Sequence, residues 1–133
     1  MLWQSRGECV MSGTKILIDT NIAINLLKGN NRVGHLLQDR EAYVSFISEL
    51  ELLGYQAITI EEEPWVEMFL DECIIIDINS GIKEITTYIR RQYKLNLPDA
   101  IIAATSIFLG VPLLSTDDHF ERIKELIFIF YQP

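Results

Sequence analysis

The sequence has few of the features that mark secreted or membrane proteins. Cysteine occurs twice, at Cys9 and Cys73, which is too few for a disulfide framework and matches no paired metal-ligand spacing. No stretch reaches about 18 consecutive apolar residues, so no segment is predicted to span a membrane. Proline and glycine are scarce, at 4 and 7 of 133 residues, whereas 49% of the residues are hydrophobic, which argues against disorder. We therefore expect a folded cytoplasmic protein with reduced thiols.

Basic residues are also few, because 11 Lys and Arg stand against 19 Asp and Glu, for a formal net charge of -8. This balance argues against a protein that holds nucleic acid by bulk electrostatic attraction alone. It does not exclude an enzyme that acts on nucleic acid, since clustered carboxylates bind divalent cations that reverse the local field. Composition leaves two interpretations open, a metal site or an acidic solvated surface.

The length of 133 residues favours one domain. Residues 1–14 lack the apolar run of a signal peptide and are predicted to form a leader that is not part of the core. Residues 15–133 are predicted to form the single domain.

Short apolar runs alternate with longer mixed segments from Lys15 onward. Nearly continuous apolar strands that alternate with helices are typical of a parallel sheet covered on both faces. The pattern predicts an α/β domain in which strands and helices follow one another. The predicted strands are 15–19, 43–46, 73–78, 112–115 and 126–131, and the predicted helices are 20–30, 31–40, 47–54, 80–93, 98–109, 119–125 and part of 58–72.

Four acids lie near strand ends or helix starts, where ligands bind in parallel sheets. Asp19 closes the first predicted strand, and Asp117 follows the fourth by two residues. Asp99 opens a helix directly after Pro98, and Glu51 lies in a short helix. Taken singly, each has an ordinary explanation as a helix cap, a complement to a helix dipole or a surface acid. Together they indicate one convergent site.

Helix geometry separates Glu51 from its neighbour Glu49. At about 100° per residue, Glu51 shares a stripe with Ile47, Leu50 and Gly54, whereas Glu49 lies roughly opposite. We therefore expect Glu51 to face inward and Glu49 to face solvent. An inward charge needs a partner, and a metal ion is one such partner.

Several carboxylates held close together repel one another, and some protonate unless a cation neutralises them. Ligation by oxygen alone suits Mg²⁺ or Mn²⁺, which retain waters for chemistry. Such ions activate a water and stabilise the charge that develops on a phosphodiester during in-line displacement. This chemistry needs no nucleophilic side chain, and the sequence shows no Ser, His or Cys arranged for that role.

Four short motifs occur in one order along the chain. They are Asp19-Thr20-Asn21 after an apolar strand, S-x-x-S-x-x-E-L ending in Glu51-Leu52, Pro98-Asp99-Ala100, and L-S-T-D-x-x-F over 114–120. With these motifs the sequence resembles the PIN domain family, and it is most similar to the VapC-type toxins of toxin–antitoxin pairs. The resemblance covers residues 15–131.

The resemblance implies a three-layer α/β/α sandwich whose central parallel sheet has the order 3-2-1-4-5. It implies a Mg²⁺- or Mn²⁺-dependent endoribonuclease in which Asp19, Glu51, Asp99 and Asp117 are the catalytic, metal-binding acids. Asn21 would orient metal-bound waters or Asp19, and Ser115 stands where a Thr is common. Members of the family dimerise and are inhibited by a small antitoxin, so a homodimer and an antitoxin partner are expected.

The sequence leaves alternatives open for some of the site residues and for the function. Asp118 adjoins Asp117, although the spacing to Phe120 favours Asp117 as the fourth acid. A basic cluster before Asp99 either binds RNA phosphates or is a solvated helix end; it consists of Arg90, Arg91 and Lys94. A PIN-like binding module without catalysis is one other function. A Mg²⁺-dependent phosphoryl-transfer or receiver domain is another, although no Lys is well placed after a late strand.

Overall fold

The computed structural model describes residues 14–132. The predicted leader, residues 1–14, lies outside the described residues except for Thr14, and its exclusion from the core stays a prediction. Cys9 also lies outside them. The Thr14 carbonyl accepts a hydrogen bond of 2.5 Å from the Glu41 backbone N–H.

Strands and helices alternate along the described residues, as the apolar pattern predicts. The strands are β1 (Lys15–Ile18), β2 (Glu41–Ser45), β3 (Ile74–Ile76), β4 (Leu113–Ser115) and β5 (Phe128–Phe130). The helices are α1 (Thr20–Leu27), α2 (Asn31–Leu37), α3 (Phe46–Leu53), α4 (Glu63–Glu72), α5 (Ser80–Gln92) and α6 (Leu97–Leu109), and a short 3₁₀ helix covers Asp118–Arg122.

The five strands form one sheet in the order β3-β2-β1-β4-β5, and every neighbouring pair is parallel. This confirms the expected order 3-2-1-4-5. From the central strand β1 the strand order runs through β2 to β3 on one side and through β4 to β5 on the other, so the order reverses at β1. Ligands bind at such a switch point, beyond the carboxyl ends of the strands.

Helices cover both faces of the sheet, so the central strands β1 and β4 are almost wholly buried, whereas the edge strands β3 and β5 are partly exposed. Ile16 and Ile18 of β1 pack in a cluster with helices α1 to α4, whereas Leu17 packs in a second cluster with α5 and α6. Successive side chains of a strand point to opposite faces, so β1 contributes to both layers. The three-layer α/β/α arrangement is confirmed.

Most helices begin at a polar residue whose side chain accepts a hydrogen bond from a free backbone N–H of the first turn. Helix α6 is capped at its carboxyl end by Gly110, whose backbone takes a left-handed conformation (φ 70°) that residues with a Cβ rarely adopt. The N-caps with such side-chain bonds are Asp19 for α1, Asn30 for α2, Ser45 for α3, Asn79 for α5 and Asn96 for α6.

Several predicted elements differ from the structure. The helices predicted at 20–30 and 31–40 end at Leu27 and Leu37, and the strand predicted at 126–131 contains only Phe128–Phe130. The helix predicted at 119–125 is a 3₁₀ helix over Asp118–Arg122, because Phe120 is drawn fully into the core and the chain has room for little more than one turn. The strand predicted at 73–78 contains only Ile74–Ile76, because Cys73 caps α4. Burial raises the pKa of the Cys73 thiol to about 12, so it is unreactive.

None of the helices within residues 14–132 has the length and apolar character that a bilayer span requires.

Candidate metal centre

A cleft of about 750 Å³ opens at the carboxyl edge of the sheet, beside the end of β1. All four acids that the sequence analysis singles out line this cleft. One side of the cleft is acidic, and the other side is largely apolar. The lining residues are Asp19, Thr20, Asn21, Ile24, Leu50, Glu51, Gly54, Tyr55, Gln56, Ala57, Asp99 and Asp117.

Asp19 and Asp117 are brought together by the pairing of β1 with β4. The Asp19 backbone N–H donates to the Leu114 carbonyl at 3.0 Å, which extends the parallel ladder to the end of β1. The buried Ser115 hydroxyl donates to Asp19 Oδ2 at 2.7 Å and accepts a bond of 2.9 Å from the Asp117 backbone N–H. The Ser115 hydroxyl therefore positions the side chain of Asp19 and the backbone of Asp117.

Glu51 faces the cleft rather than the core, so the predicted inward-facing environment was wrong. It lines the same cleft as the other three acids, and its role there stays a prediction. Glu51 is exposed and Leu50 is 59% exposed, and both line the cleft, whereas Ser48 and Leu52 form the buried side of α3. Glu49, expected to face solvent, is partly exposed. The helix face with Leu50, Glu51 and Gly54 lines the cleft. The periodicity of apolar residues in the sequence does not distinguish a helix face that lines a cleft from one that packs in the core.

The Glu51 carboxylate is held by a hydroxyl pair. Thr20 Oγ1 donates to Glu51 Oε1 at 2.5 Å, and a 2.8 Å hydrogen bond joins the Thr20 and Ser48 hydroxyls. The Thr20 backbone N–H also donates to Asp19 Oδ1 at 2.6 Å. A single residue of the first turn of α1 therefore contacts two of the four carboxylates.

Asp99 is presented by the first turn of α6. Pro98 occupies a position where no backbone N–H is needed, and Asn96 Oδ1 accepts a bond of 2.9 Å from the Asp99 backbone N–H. On the following turns the small residues Ala103 and Ser106 are buried, which lets α6 lie close to the sheet. Asp99 thereby reaches the end of β1 from the side opposite Glu51's helix.

Two of the four carboxylates, Asp19 and Asp99, have raised pKa values. Burial, together with the neighbouring charges of Asp19, Asp117 and Glu51, raises the pKa of Asp99 to about 6. The pKa of Asp19 is also raised, chiefly by burial, although the bonds from Ser115 and Thr20 oppose the shift. Shifted acids that face one another in a cleft indicate a site that gains from a cation.

The donor set fits Mg²⁺ or Mn²⁺, because it consists of carboxylate oxygens at the rim of a water-accessible cleft. Within residues 14–132, only Asp117, Asp118 and His119 bring three ligand atoms within 4.8 Å of one another. No three of the four cleft carboxylates lie that close together. Mg²⁺ usually keeps several waters and is bound by one or two carboxylates directly. The wider spacing of the cleft acids suits such partly hydrated binding.

The closer set around Asp117 is a local turn. His119 contributes its backbone N–H at 2.9 Å and its ring Nδ1 at 3.0 Å to the same oxygen, Asp117 Oδ1. Asp118 is exposed and, like Glu49, is not among the residues that line the cleft. The geometry thus favours Asp117 over Asp118 and Glu51 over Glu49.

Three predicted RNA contacts are not in the cleft. Arg90, Arg91 and Lys94 are exposed at the end of α5 and in the turn that follows. Asn21, the other predicted supporting residue, is exposed and lines the cleft. Contact of the basic cluster with flanking RNA stays a prediction.

Sequence reasoning missed the hydroxyl pair and the apolar side of the cleft. Thr20 and Ser48 both belong to the quoted motifs, and the spacing of Ser48 three residues before Glu51 was an available signal. Tyr55 and Gln56 lie in an irregular segment after α3, where no periodicity indicates which side chains face a cleft.

The family model described as "PIN domain" matches residues 16–126. The chain belongs to the PIN domain family. Its sequence motifs, its sheet order and its acidic cleft agree with this assignment, and the resemblance to VapC-type PIN domains is confirmed.

Solved structures of toxin–antitoxin complexes are similar to this PIN domain. A toxin–antitoxin complex from Klebsiella pneumoniae has a chain that is 30% identical, with a TM-score of 0.77 and coverage of 89% of this chain and 99% of that one. VapBC2 from Rickettsia felis, bound to a DNA fragment from its promoter, is 19% identical with a TM-score of 0.76, covering 89% and 99% of the two chains. DNA-bound VapBC from Salmonella typhimurium is 21% identical with a TM-score of 0.76, covering 90% and 98%. No curated protein matches the chain significantly.

Proposed function

We propose that this PIN domain is a metal-dependent endoribonuclease and the toxin of a toxin–antitoxin pair. The observation that carries the proposal is the cleft in which Asp19, Glu51, Asp99 and Asp117 face one another, with the pKa of Asp99 raised to about 6. The similarity to a toxin–antitoxin complex at 30% identity supports the toxin role.

In this proposal the chain itself supplies positioning and negative charge. Asp19, Glu51, Asp99 and Asp117 hold Mg²⁺ or Mn²⁺, which when bound activates a water and stabilises charge on the phosphodiester. Ser115 holds Asp19 and the backbone of Asp117, and Thr20 holds Glu51. Asn21 lies at the cleft rim, where its amide can orient a water or a phosphate oxygen.

The proposed partners are RNA, a small antitoxin and a second copy of the chain. Helix α4 and the segment before it expose large apolar side chains, among them Ile60 at 80%, Trp65 at 53% and Met68 at 60%. Contiguous exposed apolar surface supports a protein partner. The cytoplasmic location stays a prediction from the sequence.

The other functions considered have less support. Among the described residues no Lys lines the cleft, so an aspartyl-phosphate has no ammonium group to hold it. A binding module without catalysis does not need four acids gathered in one cleft.

Incubation of the purified protein with structured RNAs tests the proposal. We expect cleavage with Mg²⁺ or Mn²⁺, none with EDTA, and loss of cleavage in an Asp19→Asn variant whose fold is verified by circular dichroism. Equal cleavage by both proteins would mean a contaminating nuclease or a wrong site. Metal binding without cleavage of any RNA in the set would favour the binding module.

A Ser115→Ala variant is expected to lower kcat/KM and Mn²⁺ affinity by about 10- to 100-fold, the range for residues that orient metal ligands. The physical reason is the loss of the 2.7 Å bond to Asp19 Oδ2. Ser115→Thr keeps the hydroxyl and should retain most activity. Isothermal titration with Mn²⁺ and steady-state kinetics measure the two effects, and wild-type values for the alanine variant would contradict this role.

Without metal, Asp99 is expected to make the fold less stable as pH rises. Its carboxyl titrates near 3.8 ordinarily and near 6 in the folded state, so the folded protein binds more protons between these values. The free energy of unfolding contributed by this group therefore falls as pH rises through that window and stays low above it. Thermal unfolding in EDTA from pH 4 to 7 measures the slope, and saturating Mn²⁺ should make it smaller. An identical slope in an Asp99→Asn variant would show that another group is responsible.

A further inference from the structure

The cleft is larger than a hydrated ion requires, and the acids occupy only part of it. Its remaining wall is formed by Leu50, Tyr55, Gln56 and Ala57, with Ile24 nearby. Leu50 is 59% exposed and Tyr55 is 36% exposed, so an apolar side chain and an aromatic ring face the same water-filled space as the carboxylates. A volume of about 750 Å³ lies within the range of pockets that hold a small organic ligand.

Tyr55 differs from the other four tyrosines in how its hydroxyl is used. Those four hydroxyls each bond a side chain of this chain: Tyr43 bonds Glu41, Tyr88 and Tyr93 bond Glu125, and Tyr131 bonds Asn30. Within residues 14–132 the structure shows no side-chain bond for the Tyr55 hydroxyl or for the Gln56 amide. Both polar groups are available to a ligand.

The backbone that carries Tyr55 is nevertheless fixed. Its N–H donates to the Leu52 carbonyl at 3.3 Å, and its carbonyl accepts from the Ile58 N–H at 3.2 Å. Ile58 packs against the core cluster beneath α3 and α4. The backbone at Tyr55 is therefore fixed by a tight turn next to the core, and Tyr55 lines both this cleft and a smaller neighbouring pocket.

We propose that the wall formed by Leu50, Tyr55 and Gln56 binds the nucleobase next to the phosphodiester on which the carboxylates act. This inference rests on the proposed ribonuclease function and names the part of the substrate that the cleft recognises. An exposed aromatic ring offers a stacking surface to any base, and an amide can pair with a base edge. Stacking also adds affinity that an acidic site cannot obtain from phosphate contacts, because the chain carries a formal net charge of -8.

Binding of a ribotrinucleotide that contains 2-aminopurine tests the inference without cleavage. The protein is the full chain with Asp99→Asn, in Mg²⁺, and stacking is read as quenching of the 2-aminopurine fluorescence. Tyr55→Leu should weaken binding at least about fivefold and reduce the quenching, whereas Tyr55→Phe should keep both. The matched control is Tyr88→Leu, which makes the same replacement at a tyrosine that is 46% exposed and does not line the cleft.

A second readout separates this inference from the ribonuclease proposal. In the otherwise wild-type chain, Gln56→Ala should change which bases flank the cleavage sites while metal-dependent cleavage continues. If RNA is cleaved but binding, quenching and site preference are unchanged in the Tyr55→Leu and Gln56→Ala variants, the base-binding wall is wrong and the nuclease stands. If the wild-type chain neither cleaves RNA nor quenches the trinucleotide, both proposals fail.

Discussion

Replacement of Asp99 by Asn is expected to reduce kcat for RNA cleavage by at least about 10²- to 10³-fold, the scale of losing one preorganised contact to a transition state. The same replacement should make the metal-free protein more stable at pH 7. Asp99 is half-buried and repelled by Asp19, Asp117 and Glu51, which together with burial raise its pKa to about 6. A neutral amide of similar shape removes that repulsion. Activity and stability should therefore change in opposite directions.

This opposition makes the test independent of misfolding, since a variant that is inactive because it unfolds cannot also melt at a higher temperature. Kinetics with Mn²⁺ and thermal unfolding in EDTA provide the two measurements. Asp118→Asn is the matched control, because Asp118 is an exposed acid outside the cleft and next to Asp117. Retained activity in Asp99→Asn, or equal loss in both variants, would remove Asp99 from the site.

Replacement of Phe120 by Ala is expected to lower the free energy of unfolding by about 3–5 kcal/mol, the range for deleting a buried aromatic ring. The Phe120 ring is 0% exposed and lies with its centroid 6.0 Å from that of Phe128. Because domains are stable by only about 5–15 kcal/mol, this loss is a large fraction of the total. Equilibrium denaturation in urea measures it.

The matched control for Phe120 is Phe130→Ala, which removes the same side chain from a position that is 47% exposed. We expect that change to cost about 1 kcal/mol or less, since a half-exposed ring loses less burial and leaves no closed cavity. Phe120 also anchors the 3₁₀ helix that follows Asp117, so its loss should loosen the fourth acid. An equal decrease in the free energy of unfolding in the two variants would mean that burial of the Phe120 ring adds no stability beyond that of a half-exposed ring.

Residues at strand ends could be predicted from the sequence, because the strands are apolar along their whole length and therefore easy to delimit. Asp19 and Asp117 follow such strands, and the structure places both in the cleft. Asp99 could be predicted from the start of a helix for a similar reason. These positions depend on where elements begin and end, which local sequence encodes strongly.

The surroundings of Glu51 could not be predicted in the same way. A helical stripe shows that Leu50 and Glu51 share a face, but it does not show whether protein or water lies opposite. The hydroxyl pair of Thr20 and Ser48 joins residues 28 positions apart, so it appears only when α1 and α3 are packed together. Tyr55 and Gln56 depend on a turn whose course the amino-acid types do not specify.

The bond from Ser115 to Asp19 spans 96 positions of the chain, and it has a consequence for when the cleft can form during synthesis. Synthesis proceeds from the amino terminus, so β1, β2 and β3 are made well before Asp99 and Asp117 exist. A nascent or prematurely released chain that stops before α6 carries Asp19 and Glu51 without Asp99 and Asp117. The proposed nuclease activity is therefore expected only after nearly the whole chain has been made.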